Sequence, residues 1–259
     1  MTALTVKDLM DLKGKRQIAY VQVVREEEAV AASEAGMDMI GTAFVPERAH
    51  FARAVPDSHF QFGMPWGKHA SATEVLRDAM AAMGAGAQSV YCGMSPSVVE
   101  VLAREGVPVI CHVGLVPPKA TWTGGYRAVG KSAAQAKDIW QQVQDFESAG
   151  AFAVEMEVIP ADLGAEITRR TSMLTISLGS GGQCDAQYLF SADLLGENTG
   201  HIPRHAKTYR DFAGLRRQMQ AERVAAYREF MADVSSGAFP GAEHNVAMEP
   251  DVLAAVFGG

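Results

Sequence analysis

The chain has 259 residues, a length that suits one closed α/β barrel of about 250 residues and leaves room for a sizeable core. Hydrophobic residues make up 48% and charged residues 20%, the balance of an ordinary globular protein. A net charge of −7 with no clustered Lys or Arg speaks against a nucleic-acid surface, and no run approaches the roughly 18 apolar residues of a membrane span.

Cys92, Cys111 and Cys184 are odd in number and lack metal-type spacing, which points to a reducing compartment rather than a disulfide framework. The first residues, MTALTVKDLMDLKGKR, contain no apolar secretory core, so a cytoplasmic location is expected.

In chain order, residues 6–12 predict a short amphipathic helix that stops at Gly14. Residues 17–24 (QIAYVQVV) are rich in β-branched and aromatic side chains and predict a first strand. A helix over 25–35 ends at Gly36, a C-cap residue. A second strand covers 37–40, a broken segment 41–53 and a short third strand 60–62. Ser71 with Glu74 three residues on has the spacing of a capping box and starts a helix reaching about Met83. A fourth strand spans 89–92, a helix 95–105 and a fifth strand 107–112. Residues 117–131 are Gly/Pro-rich and predict a loop. A long helix over 132–149 leads into GAFAVEMEVIP at 150–160. Then come a helix over 161–171, a strand over 174–178, a glycine loop at 179–182, a helical stretch over 188–194 and a helix pair over 209–236.

Strand and helix alternate every 25–30 residues or so, the signature of a parallel sheet. Seven or eight such units favour a (β/α)8 TIM barrel over an open doubly wound sheet. No shift in composition marks a boundary. The expectation is one barrel domain over 1–259 with a short N-terminal helix and a C-terminal helical region.

The stretch 150–160 carries the chemistry. A parallel strand is dry on both faces, yet this one contains Glu155 and Glu157, which share a parity and project to the same side. An unpaired buried carboxylate costs several kcal/mol. In a barrel the site lies at the carboxyl ends of the strands. The strand ends are Gly41–Thr42, Gly63, Cys92–Gly93, His112, Glu157 and Gly179–Gly181, and among these His112 and Glu157 titrate at useful pH. Glycines 179, 181 and 182 suit either a close approach of backbone to ligand or a plain turn. Trp66, Trp122 and Trp140 are expected in the core or an interface.

The segments CHVGLVPP, GGYRAVGK, MEVIP, TGHIPRHAKTY and FPGAEH, in that order, resemble the ketopantoate (3-methyl-2-oxobutanoate) hydroxymethyltransferase family. The likeness covers residues 15–244, and that family lies in the phosphoenolpyruvate mutase/isocitrate lyase superfamily. The resemblance implies a (β/α)8 barrel and a ring-based homo-oligomer, often a decamer. It also implies transfer of a hydroxymethyl group from methylenetetrahydrofolate to a branched 2-oxo acid, in pantothenate biosynthesis. It assigns Glu157 as the base that removes the proton beside the ketone, and His112 as an active-site histidine. Gly41, Thr42, Gly63, Tyr91, Gly179 and Gly181 become candidate substrate-binding positions. Asp185, Gln187 and Asp193 match polar family positions with a structural role.

The front half departs from the pattern. The family holds Mg²⁺ with one aspartate where this chain has Thr42 and another where it has Gly63. Its Lys-Ile-Glu-Gly segment is replaced by Tyr91-Cys92-Gly93-Met94. All four replacements remove charge. Glu155 and His112 are the candidate substitutes as ligands of Mg²⁺ or another divalent metal, histidine leaning toward a transition metal. Two further readings share the scaffold: a lyase or carboligase acting on a different 2-oxo acid, and a non-catalytic ligand-binding paralogue.

Overall fold

The computed structural model describes residues 3–258. Eight parallel strands close into a barrel in chain order: β1 (Ile18–Gln22), β2 (Met39–Ala43), β3 (His59–Gly63), β4 (Ser89–Tyr91), β5 (Val109–Gly114), β6 (Ala153–Glu157), β7 (Leu174–Leu178) and β8 (Ala186–Phe190). The ring shuts where β8 pairs β1, with Tyr20 beside Tyr188 in register.

Each strand presents alternate residues to the barrel interior and to the helices outside. Outside, Val21, Ile40, Phe60, Phe62, Val90, Cys111 and Val154 join the helix-facing core. Inside, Ile18, Met39, Ile110, Ala153, Leu174, Ile176 and Ala186 pack with Leu9 of the first helix, Val6–Asp11. This apolar plug fills the amino-terminal half of the barrel. The interior residues one step further along each strand are different: Tyr20, Gly41, Gln61, Tyr91, His112, Glu155 and Tyr188. Polar chemistry thus sits in a layer directly above an apolar floor.

Most predicted elements are present within a residue or two. The helix Ala72–Gly84 is capped by the Ser71 hydroxyl, which accepts from the Glu74 amide. The Glu74 carboxylate caps the Ala70 amide. Three expectations need correction. The stretch predicted helical at 188–194 begins as strand β8 and turns helical only at Ser191–Leu194. The loop at 117–131 contains a 3₁₀ turn, Pro117–Lys119, and a short helix, Ala120–Thr123. The expected helix pair is one helix, Phe212–Ser236.

Trp66 and Trp122 are exposed, so of the two places expected for them the core is excluded. Their loops follow strand ends, where the chain leaves the core. Asp185 is buried and accepts from the Thr175 amide and hydroxyl and from Lys13, a tie between β7, β8 and the segment before β1. One compact unit reaches Arg210 and a second begins at Asp211. No described helix is long and apolar enough to cross a membrane.

Candidate active site

Glu155 and Glu157 lie two residues apart on β6 and face the barrel interior, as their shared parity requires. His112, on the neighbouring strand β5, pairs in register with Glu155. Its imidazole sits between the two carboxylates. Nδ1 is 3.8 Å from Glu155 Oε2, and Nε2 is 3.4 Å from Glu157 Oε2. Nε2 also lies 2.9 Å from the Leu115 carbonyl. A carbonyl only accepts, so Nε2 carries the hydrogen. Nδ1 is then the acceptor, and the Tyr91 hydroxyl donates to it at 2.8 Å.

The backbone holds Glu157 where β6 ends. Its carbonyl accepts from the Leu115 amide at 2.9 Å. Gly114 lies so close that a Cβ there would come within 2.4 Å of that carbonyl oxygen, and Gly114 has φ +92°, so only glycine fits. Beyond Glu157, Val158 takes φ +50°, a strained conformation for a β-branched residue. The Ser180 hydroxyl fixes the surrounding turn by donating to the Met156 carbonyl and accepting from the Ile159 amide.

Burial sets the protonation of this cluster. It pushes the Glu157 carboxyl up to about 7. Glu155 rises to about 8, through burial first and the neighbouring Glu157 charge second. His112 is driven down to about 4 by burial, with the positive field of Lys119 acting the same way. At neutral pH the histidine is a neutral hydrogen-bonding group and Glu157 is poised between acid and base.

These side chains open into a cavity of about 460 Å³. Thr42, Gly63 and Tyr91 line it beside His112, Glu155 and Glu157. So do His69, from a loop near the strand ends, and Tyr20, Gln22, Gln61 and Tyr188, the last four of which the sequence had not singled out as site residues. Tyr20 stacks on Tyr188 with ring centroids 4.2 Å apart. The Tyr20 hydroxyl donates to Gln61 Oε1 and the Tyr188 hydroxyl to Gln22 Oε1. His69 is held by Asp78 at 2.8 Å. The signal was present in the strands: Tyr20 and Gln22 share the parity of Ile18, and Gln61 that of His59 and Gly63.

The other candidates lie elsewhere. Gly41 is beneath Tyr20 and Gln61, where a Cβ would meet the Tyr20 hydroxyl at 2.5 Å. Gly179 and Gly181 line a second cavity with Gln187 and His205. The loop after β7 packs Gly179 against His205 and Gly181 against Ala161, so these glycines do not share the mouth above Glu157.

Magnesium requires near-octahedral oxygen ligation, with one or two carboxylates beside water and substrate. At the positions where the family pattern places aspartates, Gly63 has no side chain and the Thr42 hydroxyl is committed. It donates to the Val23 carbonyl at 2.8 Å and accepts from Arg48 at 3.4 Å. A guanidinium there disfavours a second cation. Among the described residues no group of three or more His, Cys, Asp or Glu has metal-holding geometry. Neither family position therefore supplies a carboxylate for magnesium. The three cysteines are buried and free.

The fold and site define a (β/α)8 barrel with a buried acid–base cluster at the carboxyl end of its strands. By fold it is similar to the crystal structure of 2,3-dimethylmalate lyase, a PEP mutase/isocitrate lyase superfamily member. The TM-score is 0.52 at 14% identity, covering 100% of this chain and 95% of that one. The family model described as ketopantoate hydroxymethyltransferase matches residues 42–242, and the chain belongs to that family. It is 30% identical to the 3-methyl-2-oxobutanoate hydroxymethyltransferase of Oleidesulfovibrio alaskensis, over 96% of this chain and 92% of that protein. It is 42% identical to the protein of the same name from a Nocardioides species, over 58% of this chain and 48% of that protein.

Proposed function

We propose that the protein forms a carbon–carbon bond by transferring a hydroxymethyl group to a branched 2-oxo acid. The observation that carries this reading is Glu157: a buried carboxylate at a strand end, facing the cavity beside His112 and Tyr91, with its acid form stable to about pH 7. A general base works best when its conjugate acid titrates near the working pH.

In this reading Glu157 takes the proton from the carbon beside the ketone. The C–H electrons become the C=C bond and the keto oxygen takes the negative charge. Water opens the methylene bridge of methylenetetrahydrofolate, and both of its C–N bonds break to release tetrahydrofolate and formaldehyde. The carbon nucleophile adds to the formaldehyde carbon, whose oxygen takes the proton back from Glu157 to become the new hydroxyl. His112, locked by Tyr91 and Leu115, presents a fixed face to the substrate. Glu155, protonated at neutral pH, adds no second negative charge beside the base. Lys119, whose field reaches His112, draws the anionic substrate to the mouth.

The exposed apolar side chains of Phe212–Ser236, among them Leu215, Met219, Phe230 and Met231, support association with further copies of the chain. The buried free thiols fit a reducing cytoplasm.

The test is incubation of the purified protein with 3-methyl-2-oxobutanoate and methylenetetrahydrofolate, with product followed by mass spectrometry. A product heavier by one hydroxymethyl group is expected. Its absence, with and without divalent cations, refutes the reading. The neutral residues at positions 42 and 63 favour one alternative, a lyase or carboligase acting on another 2-oxo acid with the same base. Cleavage or condensation in a screen of 2-oxo acids would select it.

A further inference from the structure

Gln61 holds an unresolved polar atom. Its side chain is 3% exposed and lines the cavity. Its Oε1 accepts from the Tyr20 hydroxyl, while its Nε2 is buried and has no hydrogen-bond partner. A buried amide N–H left unpaired costs about 1–3 kcal/mol, and such a group in a native fold calls for a partner.

The space beside that nitrogen is the space an aspartate at position 63 would occupy. Gln61 and Gly63 share a face of β3. A Cβ built on Gly63 lies 3.8 Å from Gln61 Nε2, 3.7 Å from the Thr42 carbonyl and 3.7 Å from Tyr91 Cδ1. These are ordinary contacts, and Gly63 has no positive φ. Neither packing nor backbone therefore demands glycine at this site. Its effect is to leave a gap, and the gap opens onto the unpaired N–H.

We propose that Gln61 donates this N–H to the keto oxygen of the bound 2-oxo acid, seated in the gap over Gly63, so that an amide donor and not a divalent cation stabilises the enolate. The inference rests on the 2-oxo acid reading above. The proton leaves carbon for the Glu157 carboxylate, the electron pair moves onto the keto oxygen, and Gln61 keeps its hydrogen while its bond to that oxygen tightens. Donors aimed at the atom where charge develops act most strongly in a dry site. Gln61 is thereby a catalytic residue in direct contact with the reacting oxygen.

The test uses the full chain, with EDTA or with Mg²⁺, and two probes. Oxalate, a planar dianion that imitates the enolate of pyruvate-type acids, is titrated by calorimetry. Exchange of the carbon-bound proton of 3-methyl-2-oxobutanoate in D₂O is followed by NMR. The wild type is expected to bind oxalate and to exchange in EDTA, with little change when Mg²⁺ is added. Gln61→Leu, which keeps the volume but removes the donor, is expected to weaken oxalate about 10–100-fold. It should slow exchange roughly 10²–10³-fold, with its melting transition retained. A Cβ at Gly63 meets only ordinary contacts, so Gly63→Asp places a carboxylate in the gap. It should lose oxalate binding in EDTA, and Mg²⁺ should not restore it, because position 42 still offers no carboxylate.

Binding and exchange by the wild type only when Mg²⁺ is present would overturn the inference and leave the 2-oxo acid reading standing. Wild-type rates and affinities in Gln61→Leu would overturn it in the same way. Absence of both binding and exchange in either buffer would overturn the inference together with the reading beneath it.

Discussion

Replacing Glu157 by glutamine removes the base while keeping the shape of the side chain. The carboxyl is pushed up to about 7 because it is buried, so about half of the protein carries the base form at pH 7 and only about 3% at pH 5.5. Enolisation should therefore climb about tenfold per pH unit below 6.5 and level off above 7.5 or so. A positioned general base typically contributes roughly 10²–10⁴-fold, and Glu157→Gln should lose that factor and the pH dependence with it. The assay is proton exchange of 3-methyl-2-oxobutanoate in D₂O across pH 5–8.5, which reads the first chemical step without the one-carbon donor. Exchange within threefold or so of wild type in Glu157→Gln would refute the role of this carboxylate. A flat wild-type profile between pH 5 and 7 would refute the poised protonation state.

The buried cluster should also shape stability. Glu155 and Glu157 are raised to about 8 and about 7, so above 4.5 the folded state holds protons the unfolded chain has lost. Stability then falls as pH rises through that window. His112 and His59, lowered to about 4 by burial, act in the opposite sense only below 6.5. Chemical denaturation from pH 6.5 to 8 should therefore show declining stability, and Glu155→Gln should flatten the decline. Val158→Gly relieves a β-branched residue at φ +50° and should raise stability by about 1 kcal/mol in thermal melts, strain relief exceeding the entropic cost of glycine. Replacing Leu215, Met219 and Phe230, all more than half exposed on one helix, by polar residues should reduce the sedimenting mass if that face mediates association.

Much of the barrel was legible because its strands are short apolar runs spaced by helices with clear caps and stops. Strand β8 was not. The stretch YLFSADLL runs from strand to helix with only Ser191 and Asp193 interrupting its apolar residues, and Phe190, the last residue of the strand, is itself the N-cap of the helix that follows. With no Gly or Pro between them, the two periods merge. The Glu155–Glu157 parity was legible, as was the presence of His112 at a strand end. Their convergence followed only from the barrel reading, because His112 and Glu155 are over forty residues apart in sequence and meet through the pairing of the adjacent strands β5 and β6. Tyr20 and Gln61 were overlooked because attention went to strand ends and not to the interior positions one step below them, although HFQFG alternates polar and apolar residues plainly. The run 179–182, which suited either a ligand loop or a plain turn, packs Gly179 against His205 and Gly181 against Ala161 and lines a cavity separate from the one above Glu157.

The two departures at the site act on opposite sides of one step. A cation near Glu157 would stabilise the enolate but would also lower the carboxyl's pKa and weaken it as a base. Burial raises the Glu157 carboxyl from 4.5 to about 7. That difference corresponds to roughly 3 kcal/mol more driving force for proton removal, comparable with the several kcal/mol a Lewis acid supplies. In the proposed reading, Thr42 and Gly63 withhold the negative charge that would hold a cation and leave the keto oxygen to neutral donors. Restoring an aspartate at position 63 alone should therefore slow the metal-free reaction, since it adds charge next to the developing enolate without returning the second ligand at Thr42.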